Sequence, residues 1–296
     1  GSGQAFGQPV SINLLGNAAV VAGATAGTYT VTSTVAIPAT QTGTLRVMMD
    51  GNPAGDVTSA GTFTDRLAVK SAFKDFSITG PVAARRVVVD IAKCQVCHDV
   101  LSLHGNNRTD EPGVCAVCHN PNATDKARRA GLGVDGKTEE SIDFKTMIHG
   151  IHASQTANGG KREKGLVIYR SDGSSHDFSK VVLHRKLNDC TICHTGTSYL
   201  LTGTWALPTA NGILGTTIGT GASTTDPSDN LRITPIAAVC SSCHDGASAK
   251  LHMQDAFNAA NFSATQATIN AATPEACVFC HGSGKVLDVK TVHGVK

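Results

Sequence analysis

The sequence predicts two unlike parts: a small all-β domain over residues 1–91, then a domain of short helices and long loops over residues 92–296. Two observations divide it. Residues 1–90 contain neither Cys nor His and are rich in Thr, Val, Ala and Gly, whereas all ten Cys and all twelve His lie beyond them. The composition adds a third: only 16% of residues are charged and 4% aromatic, which leaves a chain of 296 residues short of the large rings that fill a core.

The β elements follow from short runs broken by turn residues. Thr28–Ile37 has strand composition and partial alternation. Leu45–Met49 follows Thr42–Gly43 and stops at the turn Asp50-Gly51-Asn52-Pro53. Phe76–Thr79 stops at Gly80-Pro81, and Arg86–Val89 is a further strand candidate. Short strands at this spacing predict an antiparallel sandwich or barrel. Val20 and Val21 sit among small residues, and no stretch approaches the roughly 18 apolar residues of a membrane span.

In the second part the cysteines fall into five copies of one motif. They are Cys94-Gln95-Val96-Cys97-His98, Cys115-Ala116-Val117-Cys118-His119, Cys190-Thr191-Ile192-Cys193-His194, Cys240-Ser241-Ser242-Cys243-His244 and Cys277-Val278-Phe279-Cys280-His281. Cys-x-x-Cys-His attaches c-type haem: the two thiols form thioethers with the vinyl groups, and the next residue ligates the iron. Zinc can use Cys-x-x-Cys but does not require His after every second Cys. Disulfides do not require five repeats of one spacing. The motifs therefore predict five covalent haems, ligated on one side by His98, His119, His194, His244 and His281.

Seven histidines remain: His104, His149, His152, His176, His184, His252 and His293. Five irons with two axial histidines each need five of them. Of the four Met, Met48 and Met49 lie far from the motifs, and Met147 and Met253 each sit beside a better-placed His. All five haems are therefore expected to be bis-histidine, low-spin and low-potential. His149 and His152 lie three apart in a run where Phe144, Ile148 and Ile151 recur at helical spacing, so one helix can serve two irons. His104 follows His98 by six residues, His252 follows His244 by eight, and His293 is near the C-terminal end. His176 sits in a polar, turn-like run and is expected at the surface. His184, just before the third motif, is the reserve ligand, available to a neighbouring subunit.

The polypeptide carries a formal net charge of +2. Two propionates per haem against one residual ferric charge bring the holoprotein to roughly −3. That balance, with no basic patch among aromatics, argues against nucleic-acid binding. Lys161-Arg162-Glu163-Lys164 reads as a solvated loop, and residues 195–235, which contain Trp205, as an irregular excursion. Haem c attachment implies export, so an extracellular or cell-surface location is expected, with the periplasm as alternative. The start reads as a mature or tagged end without an anchor.

The second part resembles the cell-surface decahaem cytochromes of the OmcA/MtrC type. The resemblance is carried by Cys94 through His104-Gly105, Cys115 through Asn120-Pro121, the run Phe144–His152, Pro235–Asp245 with His252-Met253, and Cys277 through Gly282 with His293. It implies a Greek-key β domain ahead of a pentahaem domain, with distal ligands on His104, His149, His152, His252 and His293. The chain departs from the family in having five motifs rather than ten and no cysteine for a disulfide or a lipid. The expected function is extracellular electron transfer through five haems to redox cytochromes or extracellular acceptors, with self-association, even a filament, to extend its reach. The alternatives are a nitrite- or hydroxylamine-type multihaem enzyme, a monomeric carrier, and a terminal metal or flavin reductase.

Overall fold

The computed structural model describes residues 8–14, 18–154, 162–202, 214–224 and 226–295; Lys161 and Trp205 lie outside them. The N-terminal region holds β1 (Ala18–Ala22), β2 (Tyr29–Ser33), β3 (Thr44–Met49), β4 (Ala54–Gly55), β5 (Asp65–Arg66) and β6 (Ala72–Ser77). Each strand has one antiparallel partner: β1 pairs β2, β3 pairs β6 and β4 pairs β5. The ribbons do not close into the expected sandwich or barrel. A sandwich needs inward-facing apolar side chains from both sheets. Here Gly55 and Ser71 are the only buried residues described before residue 91, and every residue of β2 is exposed. Arg86–Val89 forms no strand; only Val89 makes a single bridge, to His194.

These ribbons are stitched to the second part of the chain. After α1 (Ile91–His98), β7 (Ser102–Leu103) and β8 (Arg108–Thr109) make a small hairpin. Ser71 and Thr109 exchange hydrogen bonds, Thr109 N–H to Ser71 Oγ at 3.0 Å and Ser71 N–H to Thr109 O at 2.9 Å. Arg46 pairs with Asp75 at 2.6 Å, stacks on Phe73 and donates to Gly113 O at 2.9 Å. Gly113 is needed there, because a Cβ would stand 2.5 Å from the Phe73 ring.

The remaining elements are α2 (Pro112–Cys118), α3 (Phe144–Ala153), β9 (Val167–Tyr169), β10 (Ser175–Asp177), β11 (Thr216–Gly219), β12 (Leu231–Ile233), α4 (Pro235–Cys240), α5 (Ala247–Gln254), α6 (Gln266–Ala271), α7 (Val278–His281) and α8 (Val289–Val292). The run expected to be irregular, 195–235, thus contains the antiparallel pair β11–β12. The buried apolar set is thin: Val114, Leu166, Val167, Leu200, Ile236 and Val295 are its larger members, and the rest are alanines. Buried polar groups carry much of the packing instead. Asp143, 2% exposed, accepts from Thr216 Oγ1 at 2.8 Å and from Lys145 Nζ at 2.5 Å. Among the described residues no helix is long and apolar enough to cross a membrane.

Candidate metal centres

Each Cys-x-x-Cys-His motif folds as one helical turn. The first motif lies inside α1, whose N-cap Asp90 accepts from Ala92 N–H. The others close with a bond from the His N–H to the first Cys carbonyl: His119 to Cys115 at 3.0 Å, His194 to Cys190 at 3.0 Å, His244 to Cys240 at 2.8 Å and His281 to Cys277 at 2.8 Å. In a helical turn, residues three and four apart share a face. The two thiols and the imidazole therefore project to one side. None of the ten cysteines is joined to another as a disulfide. Burial pushes Cys240 up to about 12, and Cys243 and Cys277 up to about 11.

The histidines lie in five pairs. Ring centres are 6.2 Å apart for His98 and His152, 6.2 Å for His104 and His119, 6.0 Å for His149 and His194, 6.1 Å for His244 and His293, and 6.2 Å for His252 and His281. Every pair joins one motif histidine to one of the seven outside the motifs, and five of those seven are used. A metal–nitrogen bond of about 2 Å on each side, plus about 1 Å from each nitrogen to its ring centre, gives about 6 Å. The gaps therefore fit a single metal between two imidazoles. Among the described residues no three of His, Cys, Asp or Glu converge as a zinc site would need.

The protonation states suit ligation. Nδ1 of His119, His149, His152, His281 and His293 lies 2.7–3.0 Å from a backbone carbonyl, of Ile142, Lys145, Ile148, Leu287 and Val289 respectively. A carbonyl only accepts, so each Nδ1 carries the proton and Nε2 keeps its lone pair for a metal. His194 Nδ1 donates to Ser198 Oγ at 3.1 Å, and that hydroxyl donates onward to Val88 O at 2.7 Å. Burial also holds His104, His119 and His149 below the usual histidine value. Burial, reinforced by His149, takes His194 down to about 4.

Local structure sets each position. His149 and His152 sit one turn apart on α3 and face two different partners, as the helical spacing predicts. His104 has φ of 57°, and Gly105 and Asn106 continue in the same left-handed region. Such backbone is costly for a residue with a Cβ and persists only where it is held. Asn52 Nδ2 holds Gly105 O at 2.9 Å, and Asn106 Nδ2 holds Arg66 O at 2.9 Å. The N-terminal ribbons thus fix the His104 loop. His176 and His184 face no second histidine. His176 packs on Phe178 at 4.3 Å and bonds to Arg170, and His184 is exposed.

Sequence reasoning missed several charged residues here. Arg162, read as part of a solvated loop, has a side chain only 8% exposed; it donates to Ser242 O at 2.8 Å and faces Asp245. It is buried because it braces the fourth motif. Arg108 pairs with Asp50 beside His104 and His119. Glu275, 2% exposed, accepts from the N–H groups of Ile236 and Ala237, each at 2.8 Å, and so ties the chain before the fifth motif to the helix entering the fourth. Burial raises its carboxyl above the ordinary value, and those two bonds partly offset this. An acid ahead of four motifs (Asp90, Glu111, Asp189, Glu275) was the available signal, as a capping pattern. Glu275→Ala strands two buried donors, and a loss of about 1–3 kcal/mol is expected. Thermal unfolding of the holoprotein, followed at the haem absorbance, measures it.

No curated protein and no solved structure matches the chain. One family profile does, described as outer membrane cytochrome MtrC/MtrF-like, domains II/IV, over residues 86–294. The match spans all five motifs and all five histidine pairs, and it begins after the N-terminal ribbons. With most of its length covered in this way, the chain belongs to the MtrC/MtrF-like outer membrane cytochromes, multihaem c-type electron-transfer proteins of the cell exterior.

Proposed function

We propose that the chain conducts electrons outside the cytoplasm along five covalently attached, bis-histidine c-type haems. Its working part is residues 92–296, and residues 1–91 are a β-rich support. The observation that carries this reading is the set of five histidine pairs at 6.0–6.2 Å. Cys94/Cys97, Cys115/Cys118, Cys190/Cys193, Cys240/Cys243 and Cys277/Cys280 would hold the porphyrins. His98 with His152, His119 with His104, His194 with His149, His244 with His293 and His281 with His252 would hold the irons. Bound haem supplies one-electron iron chemistry; the protein supplies position, dielectric and ligand set.

Contacts between the motifs support one order for the haems. Lys93 Nζ donates to Thr191 O at 2.6 Å, joining the first motif to the third, and α3 serves both through His152 and His149. Asn188 Nδ2 donates to His293 O at 2.5 Å, joining the third to the distal side of the fourth. Glu275 joins the fourth to the fifth. The second follows the first through the β7–β8 hairpin, with His104 from the segment after the first motif facing His119, at the end that the ribbons touch. The run is 2–1–3–4–5. Continuing it past either end takes another redox protein or a further copy, and copies joined head to tail give an open filament.

Pyridine haemochrome assay with low-temperature EPR tests the reading. Five haems per chain and a wholly low-spin ferric spectrum are expected. A high-spin signal from a fifth or more of the iron overturns the bis-histidine assignment at that position.

A further inference from the structure

Among the described residues, the strands of the hairpin β1–β2 pair with no strand outside it. Residues 19–40 are exposed without interruption. Val20 stands opposite Val31 and Ala22 opposite Tyr29, and among the described residues no further strand pairs with either outer edge. The turn between them is well made: Gly23 N–H donates to Thr28 O at 2.8 Å and Thr28 N–H to Thr25 O at 3.0 Å. Opposed residues share a face of a ribbon. Val20, Ala22, Tyr29 and Val31 therefore form one wholly apolar face, with Val20 46%, Tyr29 67% and Val31 41% exposed, while Ala19, Val21, Thr30 and Thr32 form the other, mixed face.

The charge pattern is as unusual as the exposure. No Asp, Glu, Lys, Arg or His occurs before Arg46. Exposed edge strands are ordinarily guarded by charges, proline or a bulge, because bare edges recruit other strands. Neither β1 nor β2 has any of these guards. We infer that the β1–β2 hairpin is a docking ribbon for a second copy of this chain, joined through the Val20/Tyr29/Val31 face and the free strand edges.

Three considerations select a second copy as the occupant. A charged partner would lose hydration against this ribbon and gain no counter-charge. An identical ribbon matches its uncharged, apolar face and its backbone donors and acceptors. Two holoproteins of net charge roughly −3 also repel least where each has an uncharged segment. The inference deepens the self-association reading and rests on it, but not on the haem ligand assignment.

The test is analytical ultracentrifugation of the holoprotein over a wide concentration range, with two variants. Val20→Lys/Val31→Glu introduces a cross-strand ion pair in place of the Val–Val pair, so the hairpin persists while its face turns charged. Tyr29→Lys changes the same face at one position. Wild type is expected to assemble, and both variants to associate at least about tenfold more weakly with unchanged haem content and visible spectrum. Assembly undiminished in both variants overturns the ribbon as the interface and leaves self-association standing. A wild type that stays monomeric overturns both, and leaves the electron-carrier reading to the EPR test.

Discussion

His149→Ala is expected to leave one haem in five high-spin and to break the electron path at its centre. His149 lies opposite His194 at 6.0 Å, in the third of the run of motifs. Its Nδ1 is held by Lys145 O at 2.7 Å, so the ring is pre-aimed and no neighbouring imidazole is free to replace it. His152, one turn on, is already opposite His98. Alanine would leave that iron with one protein ligand. EPR should show a new high-spin ferric signal worth about a fifth of the total iron, with the other four haems unchanged. His149→Met should instead stay low-spin, because thioether ligation replaces imidazole and raises the potential. The expected rise is on the order of 0.1 V or more, against the roughly 0.8 V that axial ligation spans. A titration would then show one haem reducing well before the rest, acting as a trap in the middle of the path. An unaltered EPR spectrum in His149→Ala would sink the His149–His194 pairing.

What was legible in the sequence tracks the range of the interactions. The motifs are local: five residues and one helical turn carry them, and they read directly. The helix at Phe144–Ala153 is local too, and it carries both His149 and His152, one turn apart. So are β3 and β6, which fall near the runs read as strands. Pairings across the chain were not legible. Nothing near His293 says that it faces His244, or that His104 faces a motif after it rather than the one before. The sandwich failed for the same reason. Strand composition is a local property, but a sandwich is a count of inward apolar residues across two sheets, and here that count is almost nil. Arg162 misread as solvated is the same lesson at a single side chain: its neighbours Ser242 and Asp245 are some eighty residues away. Glu275, Arg108 and Asp143 were passed over because a short sequence window shows a charge, not its burial.

The largest stability effect is expected from Arg129→Ala. The Arg129 side chain is fully buried, with Asp125 at 2.8 Å and Asp135 at 2.6 Å. Its guanidinium also donates to Lys137 O at 3.1 Å and Val167 O at 2.9 Å, and it lies over the Tyr169 ring at 4.6 Å. Burial alone would lower its pKa; the hydrogen bonds to Asp135 and Asp125 more than reverse this and hold it above the ordinary arginine value. Asp125 in turn accepts from Glu140 N–H at 2.7 Å and Tyr169 N–H at 2.9 Å. One cation therefore organises the loop 125–140 against β9, and that loop delivers Ile142, which holds His119, and then α3. Removing it leaves a buried carboxylate without its partner, which costs about 3–5 kcal/mol. Arg129→Lys keeps the charge but not the planar fork that meets two carboxylates and two carbonyls together, so it should recover only part of the loss. Denaturant unfolding of the holoproteins should rank wild type above Arg129→Lys, and Arg129→Lys above Arg129→Ala. EPR of the folded alanine variant should show the second motif's haem perturbed first, since His119 loses the carbonyl that orients it. If Arg129→Ala instead lowers stability by less than about 1 kcal/mol, as breaking a surface pair would, the buried network does not anchor α3.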